Sequence, residues 1–306
     1  MKCISQKATP IKSMVGYDAN RSNIVKLPFV CVRKPVPKKK LKGLDYFCFV
    51  SNPNFVLQDY IHPFMWLHCH RDPQMLKCSS PKYLISESDF VDPIHSPVTR
   101  STQIQYDYIY FTLAHEKGYH YKGMKTFLGI LPILHSLRLR GLIVVYNTKN
   151  GICKEKKIME KHGAHTVGGM NRIRAMNAIS SCRFSLFPNV EDCSPRMIPE
   201  TFLQNRPCMV NINIYGGWKY FENPKLGSVF NPKDSKSIIS AVNHIRKLKF
   251  RQRKWWMSDY GFVRMSQKLA SLLHKHRPYC KELEGITHAY FSEYSQLFTL
   301  YPEIFI

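Results

Sequence analysis

Three stretches of this sequence carry residues with chemistry to offer. The first is HEKGYHYKG, from His115 to Gly123. There Lys122 can reach a diphosphate, and Gly123 lets the backbone come close to it. The second is PNVEDCSPRMIPE, from Pro188 to Glu200. Ser194 is placed to cap a helix, with Pro195 at its first position. The free N–H groups of such a helix start, and the guanidinium fork of Arg196, suit a phosphate. Glu200 follows on the same helix, and a carboxylate there can accept two hydrogen bonds from a ribose diol. The third is NIYGGWKY, from Asn213 to Tyr220, where Gly216 and Gly217 permit close approach of a ligand. Trp218 and Tyr220 offer faces for stacking on a sugar or base. Each stretch also has a plainer reading: an incidental Lys-Gly pair, an ordinary capped helix, a tight turn with buried aromatics.

The elements around these stretches decide whether they meet. Tyr106 to Thr112 reads as a strand. Lys125 to Leu139 reads as a helix with Phe127, Leu128, Leu131, Leu134 and Leu137 at helical spacing, kinked or broken by Pro132. Leu142 to Tyr146 is a continuous apolar run of the kind buried on both faces of a parallel sheet. A charged helix over Lys154 to His162, a short strand at Thr166-Val167 and a helix over Asn171 to Ser180 follow, the last with Ile173, Met176 and Ile179 on one face. Then come a strand over Phe184 to Phe187, a helix over Ile198 to Gln204 and a strand over Cys208 to Ile214. Amphipathic helices are expected over Ser235 to Leu248 and Phe262 to His274. Strand and helix alternate at a spacing that gives an α/β fold, a parallel sheet with helices on both faces. Ligands of such sheets bind beyond the carboxyl ends of the strands, where all three stretches lie.

Ahead of this region the chain is less regular. The first forty-odd residues are basic, with three prolines close together, and read as an extended arm. Short strands are expected at Tyr46 to Val50, ending in the turn Ser51-Asn52-Pro53, at Phe64 to Cys69 and at Tyr83 to Ile85. Glu87 to Thr99 reads as the crossing loop. The expected division is residues 1–98 as a reduced N-terminal domain with its basic arm, 99–254 as the ligand-holding domain, and 255–306 as C-terminal helices packing back on the body.

The chain has 306 residues, 44% of them hydrophobic and 22% charged, the balance of a folded globular protein. Its start has no apolar signal core, and its most membrane-like run, Phe127 to Leu134, is too short to span a bilayer. Ten cysteines without a CxxC pair suggest reduced thiols and a cytoplasmic location. A formal net charge of +24 suggests a polyanionic partner: phosphorylated ligands, an anionic membrane face or nucleic acid. It is clustered around Arg33 to Lys42 and Arg246 to Lys254. No nucleic-acid-binding signature accompanies it. His68, Cys69, His70 and Cys78 are close in sequence but lack the spacing of a zinc site, so no metal site is expected. Glu87, Asp89 and Asp92, then His68 and His70, are candidate general bases.

From FSLFPNVEDCSPRMIPE through NRPCMVNINIYGGWKYF to Gly227-Ser228-Val229-Phe230, the sequence resembles the C-terminal donor domain of GT-B glycosyltransferases. It is most similar to the small enzymes of large algal viruses and some protists, which carry Asp-x-Ser-Pro-Arg and Asn-Ile-x-Gly-Gly-Trp-Lys-Tyr segments. The resemblance implies two Rossmann-like halves with parallel sheets, the N-terminal one reduced, and transfer of a sugar from a UDP- or GDP-linked donor to a glycan or glycoprotein. It implies no cofactor and no metal. Lys122, beside Gly123, matches the lysine that neutralises the donor diphosphate. Asp192 and Glu200 occupy the two acidic catalytic positions, with Glu200 on the ribose. Ser194, Pro195 and Arg196 fall near the diphosphate or sugar, Gly216 and Gly217 line the donor pocket, and Trp218 and Lys219 complete the motif. The chain departs from the pattern in having Asp at 192 instead of Glu, and only His115 and Lys117 where an arginine usually precedes the Lys-Gly pair. A relative that binds nucleotide sugar or glycan without chemistry, and a basic nucleic-acid-binding protein, are the alternatives.

Overall fold

A computed structural model describes residues 11–32, 38–49, 63–76, 78–93, 96–99, 103–114, 120–147 and 153–291. In chain order the strands are β1 (Ile11–Asp18), β2 (Asn23–Val32), β3 (Asp45–Phe49), β4 (Trp66–His68), β5 (Lys82–Leu84), β6 (Tyr106–Leu113), β7 (Gly141–Tyr146), β8 (Ala164–Gly168), β9 (Cys182–Phe187), β10 (Cys208–Asn211), β11 (Gly227–Phe230) and β12 (Ile286–Phe291). The α-helices are α1 (Met124–Ser136), α2 (Lys156–Lys161), α3 (Arg172–Ser180), α4 (Met197–Leu203), α5 (Ser235–Lys247), α6 (Gln252–Asp259) and α7 (Phe262–His276). The chain forms two compact units: residues 1–90 with 262–306, and residues 91–261.

In the first unit the sheet order is β12-β1-β2-β3-β4-β5. Strands β2 to β5 run parallel, whereas β1 is antiparallel to both β2 and β12. The expected basic arm is therefore a hairpin over residues 11–32. Lys26 and Pro28 are exposed, and between and beyond them Leu27, Phe29 and Cys31 alternate into the core. Asp18 Oδ1 accepts the Asn20 N–H at 2.9 Å and shapes the turn. Residues 255–306 are likewise not only helical: they end the described chain in β12. Arg277, just past α7, grips Asp45 at the start of β3 with two N–H groups and stacks over Phe64 at 4.0 Å. The Ser51–Pro53 turn lies outside the described residues.

In the second unit the sheet is wholly parallel, in the order β11-β10-β9-β6-β7-β8. Numbered from β6, this is the doubly wound order of dinucleotide-binding sheets. Its direction of winding reverses between β6 and β9. One face of the sheet buries Tyr108, Tyr110, Ile143, Val145, Phe184 and Met209 against α1 and α5. The other buries Ile109, Leu142 and Val144 against Ala175, Met176 and Ile179 of α3. Every residue from Gly141 to Val145 is buried, as an apolar run with both faces covered requires. Each large side chain among these contributes roughly 1.5–3 kcal/mol of transfer free energy. Two local expectations differ. Helix α1 is not broken at Pro132, which is exposed on its outer side. Ile173 is 60% exposed, because the buried stripe of α3 runs through Ala175, Met176 and Ile179. Among the described residues, no helix is long and apolar enough to cross a membrane.

Candidate functional site

Where the winding reverses, the carboxyl ends of β6 and β9 splay apart, and a hollow of about 230 Å³ opens between their following loops. Tyr110 and Phe111 of β6 and Leu186 and Phe187 of β9 form its floor. Tyr121 and Lys122 approach from the helical turn before Gly123, and Asn189, Asp192 and Ser194 to Met197 from the segment between β9 and α4. The sequence expectation for Lys122, Asp192, Ser194, Pro195 and Arg196 thus concerns residues that share one cavity.

The two loops meet at Gly123. Its φ is +73°, and a Cβ there would lie 2.7 Å from the backbone of Pro188 and Asn189, so only glycine permits this approach. The next residue back is Lys122, whose carbonyl accepts the Tyr110 hydroxyl at 2.9 Å. Its ammonium lies 3.5 Å from Asp192 Oδ2 and 4.7 Å from the centre of the Tyr121 ring. Asp192 is buried and well supplied with donors: Asn189 Nδ2 at 3.4 Å and the Ser194 N–H at 3.3 Å besides Lys122. Burial, reinforced by the charge and hydrogen bond of Asp192, holds the Tyr121 phenol well above its usual range, so it remains a neutral donor. Arg196 is exposed at the rim and has no ion pair among the described residues.

Ser194 does not cap the helix. Helix α4 starts at Met197 after Arg196, without a side-chain cap. The Asp192 carboxylate takes the Ser194 N–H instead and turns the chain ahead of the first helical bond, Ile198 N–H to Pro195 O at 3.0 Å. Seven residues long, α4 is too short to carry much of a macrodipole. Any charge stabilisation in the hollow comes from Lys122 and Arg196.

Gly216 and Gly217 are not among the lining residues; they pack on the back of the Asp192 loop. Tyr215 N–H donates to Val190 O at 2.9 Å and Gly216 N–H to Asp192 O at 2.8 Å. A Cβ on Gly216 would stand 1.9 Å from Cys193 O, and Gly217 has φ +76° with Pro195 Cγ 2.9 Å from where its Cβ would be. Trp218 packs against the cluster containing Phe202 and Trp256, and Lys219 is buried with its ammonium 5.6 Å from the Tyr220 ring centre.

Glu200 is also absent from the lining. Its Oε1 accepts from Arg172 Nη2 at 2.6 Å and from Ser96 Oγ at 3.2 Å. Arg172 follows a strand and opens α3, a position where ligands of such sheets bind, but nothing in its own type marks it; Asn189 and Tyr121 lie within the post-strand stretches, and Ser96 carries no local signal. Of the candidate bases, Asp89 is fully buried and accepts from Ser86 N and Oγ at 2.8 and 3.1 Å, a turn-forming role. His68 and His70 stack at 6.2 Å, and burial lowers the pKa of His70. No group of three or more His, Cys, Asp or Glu side chains among the described residues is arranged to hold a metal. His115 and Lys117 lie outside those residues.

No family model matches the sequence, and no curated protein matches it. Solved structures do. A glycosyltransferase of avilamycin A biosynthesis, AviGT4, superposes with a TM-score of 0.54 at 12% identity, covering 86% of this chain and 76% of its own. A glycosyltransferase from Rickettsia africae gives 0.55 at 12%, covering 83% and 78%. The pneumococcal O-GlcNAc transferase GtfA, solved with UDP and GlcNAc, gives 0.54 at 11%, covering 78% of this chain but only 54% of that one. At such identities the likeness is one of fold. The architecture is α/β and GT-B-like, with a sheet of mainly parallel strands in each unit.

Proposed function

We propose that this chain is a nucleotide-sugar glycosyltransferase that seats the donor diphosphate in the hollow between β6 and β9. The observation that carries the reading is the meeting of Lys122 and Arg196 at the switch point of a doubly wound sheet, in a GT-B-like fold. That the pneumococcal neighbour was solved with UDP and GlcNAc supports this.

The chemistry follows from charge. Cleavage of the sugar–phosphate bond leaves negative charge on the nucleoside diphosphate and oxocarbenium character on the sugar. Lys122, only loosely paired at 3.5 Å, leaves Asp192 for the diphosphate, and Arg196 closes on it from the rim. In this reading, charge stabilisation comes from side chains and the transfer is metal-independent. Asp192 keeps Lys122 and the loop in place while the hollow is empty. Glu200 receives the ribose. The acceptor is a glycan or glycoprotein, the transferred group a hexose or pentose, and the base uracil or guanine. Synthesis in the cytoplasm suits the described cysteines, all of which are free thiols.

A thermal-shift screen with UDP, GDP and their sugar conjugates tests the reading, because a ligand of the native state raises the midpoint. One of these ligands is expected to stabilise the protein, and Lys122→Ala to abolish the shift. If no nucleoside diphosphate or nucleotide sugar binds at millimolar concentration, the reading fails.

A further inference from the structure

We propose that Arg172 is a positioning residue for the nucleoside end of the donor: with Ser96 it fixes one oxygen of Glu200 and leaves the other to accept the ribose hydroxyls. The inference rests on the donor reading above.

Three parts of the second unit converge on one carboxylate oxygen. Arg172 Nη2 donates to Glu200 Oε1 at 2.6 Å and to Ser96 Oγ at 2.7 Å, and the Ser96 hydroxyl donates to the same Oε1 at 3.2 Å. Oε2 has no hydrogen bond among the described residues, although the Glu200 side chain is only 8% exposed. Oε2 is not one of the fully buried unpaired atoms, so it opens to solvent, where a ligand hydroxyl can reach it. Here a charged clamp holds one oxygen still and keeps the second unfilled. Oε2 has two lone pairs, one for each hydrogen of a vicinal diol.

The location fits the nucleoside end. Glu200 lies one turn beyond Arg196 and Met197, which line the hollow. Tyr146, at the carboxyl end of β7, stacks on the lining residue Phe111 with ring centres 6.4 Å apart. Burial raises the pKa of the Tyr146 phenol, and the Glu200 charge raises it further. Phe111 and Tyr146 thus form a continuous aromatic surface that leads away from the hollow.

The competing explanation is that Glu200 merely straps residues 96–99 to α4. Gln204, one turn further on, already does so. Its Oε1 accepts from Thr99 N and Oγ1 at 2.9 and 3.0 Å, and its Nε2 donates to Pro97 O at 2.9 Å. The two residues can therefore be separated experimentally.

The test compares the affinity of the full chain for UDP and GDP with that for their 2′,3′-dideoxy counterparts, by calorimetry. The wild type is expected to favour the ribose form at least tenfold or so, the worth of a charge-assisted hydrogen bond. Arg172→Ala should shrink the ratio to under about threefold while dideoxynucleotide affinity stays near the wild-type value, and Arg172→Lys should restore part of it. Gln204→Ala should lower the melting point and keep the ratio. If Arg172→Ala does not fold, Ser96→Ala, which removes the second donor to Oε1, reads the same ratio. A wild-type ratio in the Arg172→Ala or Ser96→Ala variant, or equal loss of both nucleotide forms there, overturns the inference. So does a wild type that binds UDP or GDP without distinguishing the dideoxy form, which leaves the donor reading intact. A wild type that binds neither nucleotide overturns both.

Discussion

Adding one methyl group at residue 216 should disable the donor hollow from behind. In Gly216→Ala the new Cβ would sit 1.9 Å from Cys193 O and 2.8 Å from Cys193 Cα, with backbone and no flexible side chain in the way. Because Cβ contacts under 3.0 Å essentially do not occur, the two loops must separate by about 1.1 Å. The bond from Gly216 N–H to Asp192 O, 2.8 Å long, cannot survive that movement. Leaving those buried groups unpaired costs about 1–3 kcal/mol, which for a chain of this size lowers the melting point by roughly 2–5 °C. Asp192 and its partner Lys122 move with the loop, and a misplacement near 1 Å costs on the order of 100-fold in turnover. Gly129→Ala is the matched control. Gly129 is exposed in α1 with nothing within 4 Å of its added Cβ, so the same change should stabilise the protein by about 0.5–1 kcal/mol and leave turnover alone. Thermal unfolding and donor turnover, measured side by side, decide the matter. Were Gly216→Ala to match the wild type in both, the stitching of the loops would have no part in the site.

Lys122→Ala should weaken nucleoside diphosphate binding by roughly 10–100-fold and flatten its salt dependence, with almost no change in melting point, since the 3.5 Å pair with Asp192 is partly exposed; unchanged affinity in a salt titration would refute this. Pro132→Ala should return an N–H to the middle of α1 and raise stability by about 1 kcal/mol or more, read in a denaturant titration, and a loss would show that the ring itself is needed. Burial pushes the His288 pKa down from 6.5 to about 4. Between those values the unfolded chain takes up a proton that the folded chain refuses. Stability is therefore full above pH 6.5 and declines as pH falls toward 4. Melting points across that range should fall less steeply for His288→Gln, and parallel curves would rule out His288 as the source.

Sequence period revealed the second unit well, since its elements are long or continuously apolar. Gly141 to Tyr146 and the stripe of α5 could be placed within a few residues, as could α7 of the first unit. The hairpin over residues 11–32 was hidden because Lys26 and Pro28, on the exposed side of β2, break up the alternation of Leu27, Phe29 and Cys31. Strand β12 was hidden for a different reason: its partner β1 lies at the other end of the chain, and pairing at that range leaves no local mark. At the site, Lys122, Asp192 and Arg196 were legible because each follows a strand. What Gly216 approaches was not, because the answer is the backbone of another loop. The clamp of Arg172 and Ser96 on Glu200 was illegible too, since its members are 28 to 104 positions apart.

The position of β12 also imposes an order on synthesis. Unit two is continuous in sequence, whereas the first sheet needs a strand made only after the whole of that unit. While translation proceeds, β1 has β2 on one side and a bare row of amide and carbonyl groups on the other. The first unit's sheet is therefore completed only after the second unit has been made, and the interval in which that edge can pair with a wrong partner lasts as long as the ribosome takes to read the intervening residues.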